Sequence, residues 1–110
     1  MEYTQIPGTS CKVSRIALGT WAIGGWMWGG TDEAESIRTI HAALDKGVNL
    51  IDTASVYGFG ASEKIVGKAL AQKNCRDKVF IATKTGLAWK DGKVFRNCSP
   101  DYLNRTLPTP

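Results

Sequence analysis

The hydrophobic pattern of this chain alternates between short apolar runs and longer amphipathic stretches. Three apolar runs are rich in residues that favour pleated, buried positions, which predicts strands. They occupy residues 16–19, 48–52 and 79–84. Between these runs the apolar residues recur at helical spacing, which predicts a helix after each of the first two strands. Alternating strands and helices are typical of a parallel sheet with right-handed crossovers.

Polar residues mark the start of each predicted helix. Asp32, followed three residues later by Glu35, resembles a capping box and predicts the start of the first helix. Ser62 is predicted to cap the second helix. Ser99 followed by Pro100 predicts the cap and the first turn of a third helix.

Two further features complete the predicted architecture. Pro7 and Gly8 lie between two short extended stretches and predict a leading β-hairpin. Asp52 follows Thr20 by 32 residues and Lys84 follows Asp52 by another 32, which is the length of one βα unit. Residues 85–98 are predicted to form a polar loop. The predicted fold class is therefore α/β, with about three βα units behind a hairpin.

The composition fits an ordinary globular domain and argues against several other classes. Of the 110 residues, 43% are hydrophobic and 22% are charged, so the chain can form a core. The net charge is +4, but basic and acidic residues are interspersed, which argues against a nucleic acid partner. The longest uncharged stretch, residues 16–31, contains five glycines and is too short to span a membrane.

The cysteines and the first residues indicate a compartment. Cys11, Cys75 and Cys98 are odd in number and widely spaced, so no metal site is predicted from them. No basic segment follows Met1, which argues against a signal peptide. Isolated thiols suit a reducing environment, and we expect a cytoplasmic protein.

Three titratable residues are expected to meet outside the carboxyl ends of the strands. Asp52 and Lys84 end adjacent strands, and Tyr57 lies five residues after Asp52. In parallel α/β folds the functional site lies outside the carboxyl ends of the strands. An isolated phenol, with a pKa near ~10, is a poor acid at neutral pH, and a nearby ammonium makes it a better one. A carboxylate fixes the ammonium, so Tyr57 is a candidate general acid toward a carbonyl oxygen.

Ordinary structural roles stay open for the same kinds of residue. A strand-end aspartate and lysine often form a partly exposed ion pair of little energetic consequence. A loop tyrosine often covers the rim of a fold, and Trp26 and Trp28 are open to the same interpretation. The stretch from Gly58 to Glu63 begins like a dinucleotide fingerprint, but Glu63 replaces the third glycine and the stretch follows the second strand. A Rossmann site is therefore rejected.

Several motifs resemble the aldo-keto reductase family in order and spacing. They are Leu-Gly-Thr-Trp at 18–21, Asn-Leu-Ile-Asp-Thr-Ala at 49–54, Val-Tyr-Gly at 56–58, Ser-Glu at 62–63, Gly-Lys-Ala-Leu at 67–70 and the strand from 79 to the lysine at 84. The resemblance covers about residues 3–103. It implies the N-terminal portion of a (β/α)₈ TIM barrel that binds NADPH without a Rossmann motif and reduces small aldehydes or ketones.

The resemblance also implies roles for individual residues. The implied catalytic residues are Asp52, Tyr57 and Lys84, three members of a tetrad in which Tyr57 is the proton donor. The implied cofactor contacts are Gly19, Thr20, Trp21 and Asp52. At the same barrel mouth, an apolar substrate pocket is expected from Trp21, Trp26 and Trp28.

The chain departs from the family pattern at its histidine and at its last residues. The fourth tetrad member is a histidine on the fourth strand, whereas the single histidine here, His41, lies in the first predicted helix and is expected to be structural. The sequence also ends Pro108-Thr109-Pro110, where relatives continue a helix. We therefore expect residues 1–110 to be a truncated NADP-dependent oxidoreductase domain, inactive by itself, whose open sheet edge favours self-association. A truncated product without activity and a module that senses nicotinamide cofactors are the alternatives.

Overall fold

The fold is described for residues 1–107 by a computed structural model. Seven strands and three α-helices lie in that part of the chain, and none of its helices is long and apolar enough to cross a bilayer. The strands are β1 (Tyr3–Gln5), β2 (Lys12–Ser14), β3 (Leu18–Gly19), β4 (Leu50–Asp52), β5 (Phe80–Ala82), β6 (Leu87–Lys90) and β7 (Lys93–Arg96). The helices are α1 (Glu33–Asp45), α2 (Ala61–Lys73) and α3 (Pro100–Thr106). The expected helix break at Pro108 lies outside the described residues.

Strands β3, β4 and β5 form one parallel sheet in that order. Leu18 pairs with Ile51, and Ile51 pairs with Ile81, so the three strands are in register at the centre of the sheet. α1 connects β3 to β4, and α2 connects β4 to β5. The predicted alternation of strands and helices is confirmed. Within residues 1–107, the outer edge of β5 has no paired strand.

The core lies between this sheet and the two long helices. Ile51 at the centre of β4 is fully buried, as are Ile40 of α1 and Leu70 of α2. Val66 and Ala69 of α2 belong to the same apolar cluster. Burying a large aliphatic side chain contributes about 1.5–3 kcal/mol. This cluster therefore fixes the strands whose ends carry the candidate site.

The two long helices begin in different ways. The Asp32 side chain accepts a hydrogen bond from the Glu35 amide, so the predicted cap of α1 is confirmed. α2 begins at Ala61, and Gly60 occupies the cap position without a side-chain hydrogen bond. The prediction that Ser62 caps α2 is wrong, because its hydroxyl is fully buried and bonds to groups at the strand ends.

The predicted leading hairpin, β1–β2, is present and lies against the amino end of β4. The Tyr3 hydroxyl donates to the Gly47 carbonyl at 2.8 Å. The Asn49 side chain donates to the Lys12 carbonyl and accepts from the Ser14 amide. The hairpin is thereby attached to the end of the sheet opposite the candidate site.

A second hairpin, β6–β7, occupies the segment predicted to be a polar loop. Its turn is Asp91-Gly92, and both residues have positive φ, at 53° and 75°. An Asp-Gly pair favours the two-residue turn that joins antiparallel strands. The loop prediction is wrong because the apolar alternation on either side of this pair is too short to stand out from a loop.

Candidate active site

The carboxyl ends of the parallel strands bring Asp52, Tyr57 and Lys84 together. Asp52 is the last residue of β4, and Lys84 lies two residues beyond β5. The Lys84 Nζ lies 3.0 and 2.9 Å from the two carboxylate oxygens of Asp52. It lies 3.4 Å from the Tyr57 hydroxyl oxygen. The meeting of these side chains, expected from the strand ends, is therefore present in the structure.

Each proton of the Lys84 ammonium has an acceptor. The acceptors are the Asp52 carboxylate, the Thr53 carbonyl at 2.9 Å and the Tyr57 hydroxyl. An ammonium has three donors, so these contacts use all of them. The Tyr57 oxygen accepts from Lys84 and, within the described part of the chain, donates to no protein group. The phenolic proton is consequently available to a bound molecule.

The ion pair contributes more to geometry than to stability. The side chains of Lys84 and Asp52 are 51% and 42% exposed. Pairs as exposed as this one contribute only about 0–1 kcal/mol. What the contacts provide is an ammonium held beside the phenol, since Lys84 Nζ also lies 5.1 Å from the centre of the Tyr57 ring.

The pKa of Lys84 lies above its ordinary value of 10.5. Burial by itself would lower the pKa, but the hydrogen bonds and charge attraction from Asp52 and Tyr57 outweigh that effect. Lys84 therefore carries its positive charge throughout the neutral pH range.

We expect Lys84 to titrate above pH 10.5 in the folded chain and at a lower pH in Asp52→Asn. Because the folded-state pKa is raised, the stability contributed by this amine is complete below its unfolded pKa. It is lost as the pH rises through the folded-state pKa. Following the Lys84 Cε resonance by NMR measures the titration in both variants. A midpoint that Asp52→Asn leaves in place would contradict the assigned cause.

The loop that carries Tyr57 rests directly on the 3₁₀ turn Ala22–Gly24, which follows β3. A Cβ on Gly24 would lie 2.6 Å from the Tyr57 carbonyl carbon, and a Cβ on Gly58 would overlap the Gly24 carbonyl. Close-packed interiors have no room for such overlap. Both positions therefore require glycine, and the main chain of Tyr57 is held by direct contact between backbones.

Two of the predicted pocket tryptophans form one aromatic group with Tyr57. The Trp21 ring stacks on the Tyr57 ring, with centroids 5.9 Å apart and planes at 15°. Trp28 meets Trp21 edge-on, also with centroids 5.9 Å apart. Trp21 is 43% exposed and Trp28 is 56% exposed. Both rings are therefore accessible from the mouth next to the phenol.

The third predicted pocket tryptophan, Trp26, belongs to a different aromatic group. Its ring contacts Phe59 with centroids 5.6 Å apart, and Phe59 contacts Trp89 of β6 at 5.5 Å. Phe59 and Trp89 were not among the residues singled out from the sequence. The Asp91-Gly92 pair is the signal that could have predicted the β6–β7 hairpin, whose first strand carries Trp89.

The residues of this site lie in a segment shared with one protein family. A sequence profile of the Aldo/keto reductase family matches residues 15–108. The chain belongs to the aldo/keto reductase family. It is 62% identical over 99 residues to the aldo-keto reductase YhdN of Bacillus subtilis, which covers 90% of this chain and 30% of that protein. It is 44% identical over 119 residues to the NADH-specific methylglyoxal reductase of Escherichia coli, covering 97% of this chain and 36% of that protein.

A solved aldo/keto reductase shows how the chain relates to the family fold. The glycerol dehydrogenase AKR11B4 from Gluconobacter oxydans matches with a TM-score of 0.81 and 57% identity, over 94% of this chain and 32% of that one. The βα units described above are thus the N-terminal portion of the (β/α)₈ barrel. The chain spans about a third of the length of the relatives it matches.

The four residues expected to contact an aldo/keto reductase cofactor differ in accessibility. Gly19 and Trp21 are exposed at the end of β3, and a Cβ on Gly19 would meet nothing within 4 Å. The Asp52 carboxylate is partly exposed. Thr20 is fully buried and its hydroxyl donates to the Asp52 carbonyl, so that side chain does not face the mouth. Open backbone, a flat indole and a carboxylate acceptor fit the planar ring and the carboxamide group of a nicotinamide.

His41 lies away from the aldo/keto reductase site. Its Nε2 is 2.8 Å from the Ala69 carbonyl, so the side chain joins α1 to α2. This position agrees with the structural role expected from the sequence.

Proposed function

We propose that this chain is the proton-donating part of a nicotinamide-dependent carbonyl reductase. One observation carries the proposal: the Lys84 ammonium is shared between the Asp52 carboxylate and the Tyr57 hydroxyl. Membership of the aldo/keto reductase family supports it. The reaction converts an aldehyde or ketone to an alcohol, and the same groups serve the reverse oxidation.

In the proposed reaction Tyr57 acts as the general acid. When bound, NADPH supplies a hydride to the carbonyl carbon. The C=O electron pair moves onto the oxygen, which takes the Tyr57 proton, so the product is an alcohol and Tyr57 becomes a phenolate. The Lys84 ammonium, 3.4 Å away, stabilises that phenolate until water returns a proton. Asp52 keeps the ammonium in position.

The proposed cofactor is NADPH, with its nicotinamide end at Gly19, Trp21 and Asp52. Exposure of these three residues at neighbouring strand ends supports this placement. Thr20 contributes from beneath, because its hydroxyl is directed to the Asp52 carbonyl. The Escherichia coli relative is named as NADH-specific, so the activity assays compare NADPH with NADH.

The proposed substrate is a small carbonyl compound with an apolar group. Trp21 stacks on the Tyr57 ring, Trp28 packs against Trp21, and the exposed parts of the two indoles offer an apolar wall. Trp26 contributes through its contact with Phe59, which lies two residues after Tyr57 in the chain. A carbonyl oxygen directed at the Tyr57 hydroxyl would place its apolar substituent against the two indoles.

We expect the isolated 110-residue chain to show no reduction of aldehydes with either cofactor. The single histidine is engaged with the Ala69 carbonyl, and the family resemblance assigns the fourth tetrad member to a later strand. The loss of NADPH or NADH absorbance with purified protein measures the activity. Turnover that disappears in Tyr57→Phe would contradict this expectation.

The same preparation tests whether the chain is a module that senses nicotinamide cofactors. The exposed surface at Gly19 and Trp21 supports this alternative, because a cofactor could bind there without turnover. Titrating NADPH fluorescence with the chain is the measurement. Saturable quenching without turnover would favour a sensing module, whereas absence of quenching at high protein concentration would exclude it.

We also expect the isolated chain to self-associate through β5. Its outer edge is unpaired within residues 1–107, and unpaired strand edges recruit other strands. Analytical sedimentation over a range of concentrations should show mass rising with concentration. A compact monomer at the highest concentration would show that the edge is covered in solution.

A further inference from the structure

Three buried hydroxyls lie directly beneath the candidate site. Thr20, Thr53 and Ser62 are at most 1% exposed. The Ser62 oxygen lies 2.8 Å from the Thr20 hydroxyl and 2.9 Å from the Thr53 hydroxyl. We refer to these three side chains as the hydroxyl network. It joins the end of β3, the end of β4 and the first turn of α2.

The direction of the hydrogen bonds in the hydroxyl network follows from counting protons. Each hydroxyl has one proton to donate. The Thr20 proton goes to the Asp52 carbonyl at 2.9 Å, so the contact between the Thr20 and Ser62 hydroxyls uses the Ser62 proton, which is shared with the Thr20 carbonyl at 3.1 Å. The Ser62 oxygen then accepts the Thr53 proton. The result is one ordered series from Thr53 to Ser62 to Thr20 to the Asp52 backbone.

The hydroxyl network contacts the main chain around all three candidate catalytic residues. It ends on the Asp52 carbonyl. The Ser62 amide donates to the Tyr57 carbonyl at 3.2 Å. The Thr53 carbonyl accepts from the Lys84 ammonium at 2.9 Å. Ser62 therefore contributes a hydroxyl to the strand ends and an amide to the Tyr57 loop.

We propose that Ser62 is a positioning residue that sets the Tyr57 phenol against the Lys84 ammonium. The inference rests on the proposed function, because the alignment of these groups matters only if they act together. Ser62 acts through the backbone of Tyr57 and through Thr20 and Thr53, since a side chain without exposed surface cannot touch a substrate. Loss of its hydroxyl would leave Thr53 without an acceptor and let the first turn of α2 shift against the strand ends.

The test compares Ser62→Ala with Ser36→Ala in the full 110-residue chain by NMR. Ser36 is a matched control: it is also a buried serine early in a helix, but within residues 1–107 its hydroxyl bonds only to the Thr31 hydroxyl, at 3.4 Å. Two signals report the site without requiring turnover. They are the nuclear Overhauser contacts between the stacked Trp21 and Tyr57 rings and the chemical shift of Lys84 Cε.

We expect Ser62→Ala to lose the Trp21–Tyr57 contacts and to move the Lys84 shift toward that of an exposed lysine. Ser36→Ala should keep both signals. Retention of both signals in Ser62→Ala would overturn the proposal, and so would equal changes in the two variants. If the proposed reductase function fails but Ser62→Ala still changes the two signals and Ser36→Ala does not, the positioning role of Ser62 stands. Only the catalytic purpose assigned to that positioning would then be wrong.

A second pair of variants decides the matter if Ser62→Ala does not fold. Thr53→Val removes the hydroxyl at nearly constant volume, whereas Thr53→Ser keeps the hydroxyl and removes a methyl group. The proposal expects the Val variant to lose the Trp21–Tyr57 contacts and the Ser variant to keep them. The same spectrum for both, or the reverse order, would overturn it.

Discussion

Tyr57→Phe is expected to lower kcat by about 10²–10⁴-fold in a complete barrel that contains this chain. Phenylalanine keeps the ring that stacks on Trp21 and removes only the hydroxyl beside Lys84. The change therefore acts on proton transfer, and KM should be little affected. A complete barrel is obtained by placing residues 1–107 in the matching segment of the Gluconobacter oxydans glycerol dehydrogenase, which is 57% identical. Glycerol oxidation is then followed with NADP⁺ and with NAD⁺.

Tyr3→Phe in the same barrel is the matched control. It also removes one phenolic hydroxyl, but from the hydrogen bond to Gly47 at the opposite end of the sheet. Its kcat should equal that of the parent chimaera. Equal kcat values for Tyr57→Phe and Tyr3→Phe would show that Tyr57 is not the proton donor.

Ile51→Ala is expected to lower the free energy of unfolding by about 2–5 kcal/mol. Ile51 is fully buried at the centre of β4 and pairs with both neighbouring strands. Its truncation opens a cavity where the sheet meets α1 and α2, directly before Asp52. Urea unfolding followed by circular dichroism, at a concentration where the protein is monomeric, measures the loss.

The control is Ile16→Ala, the same truncation at a position that is 64% exposed. It should change the free energy of unfolding by no more than about 0.5 kcal/mol. Similar losses at the two positions would mean that the core is not organised around β4.

The elements that could be predicted from sequence are those whose signals are local. The apolar runs predicted β4 and β5 correctly, because strands of a parallel sheet that is covered by helices are continuous in apolar residues. The cap at Asp32 followed from one side chain and one nearby amide. The meeting of Asp52 and Lys84 followed from topology, since carboxyl ends of neighbouring parallel strands share an edge.

The features that escaped prediction depend on contacts between distant segments. Ser62 has the sequence context of a cap, but burial against Thr20, 42 positions away in the chain, redirects its hydroxyl. The requirement for glycine at 24 and 58 arises only because two loops meet backbone to backbone. Trp26 lies in the same Gly- and Trp-rich loop as Trp28, so the sequence does not distinguish the two. Trp26 joins a different aromatic group because its ring contacts Phe59.

The distribution of indole rings has a practical consequence. All four tryptophans of the chain, at positions 21, 26, 28 and 89, belong to the aromatic groups around the mouth. Their intrinsic emission is thus a built-in optical reporter of that end of the molecule, insensitive to events near the Tyr3 hairpin. A ligand that stacks on Trp21 should quench this emission, and a nearby reduced nicotinamide should accept energy from the excited indoles. Ligand binding at the site can therefore be followed without attaching a fluorescent dye.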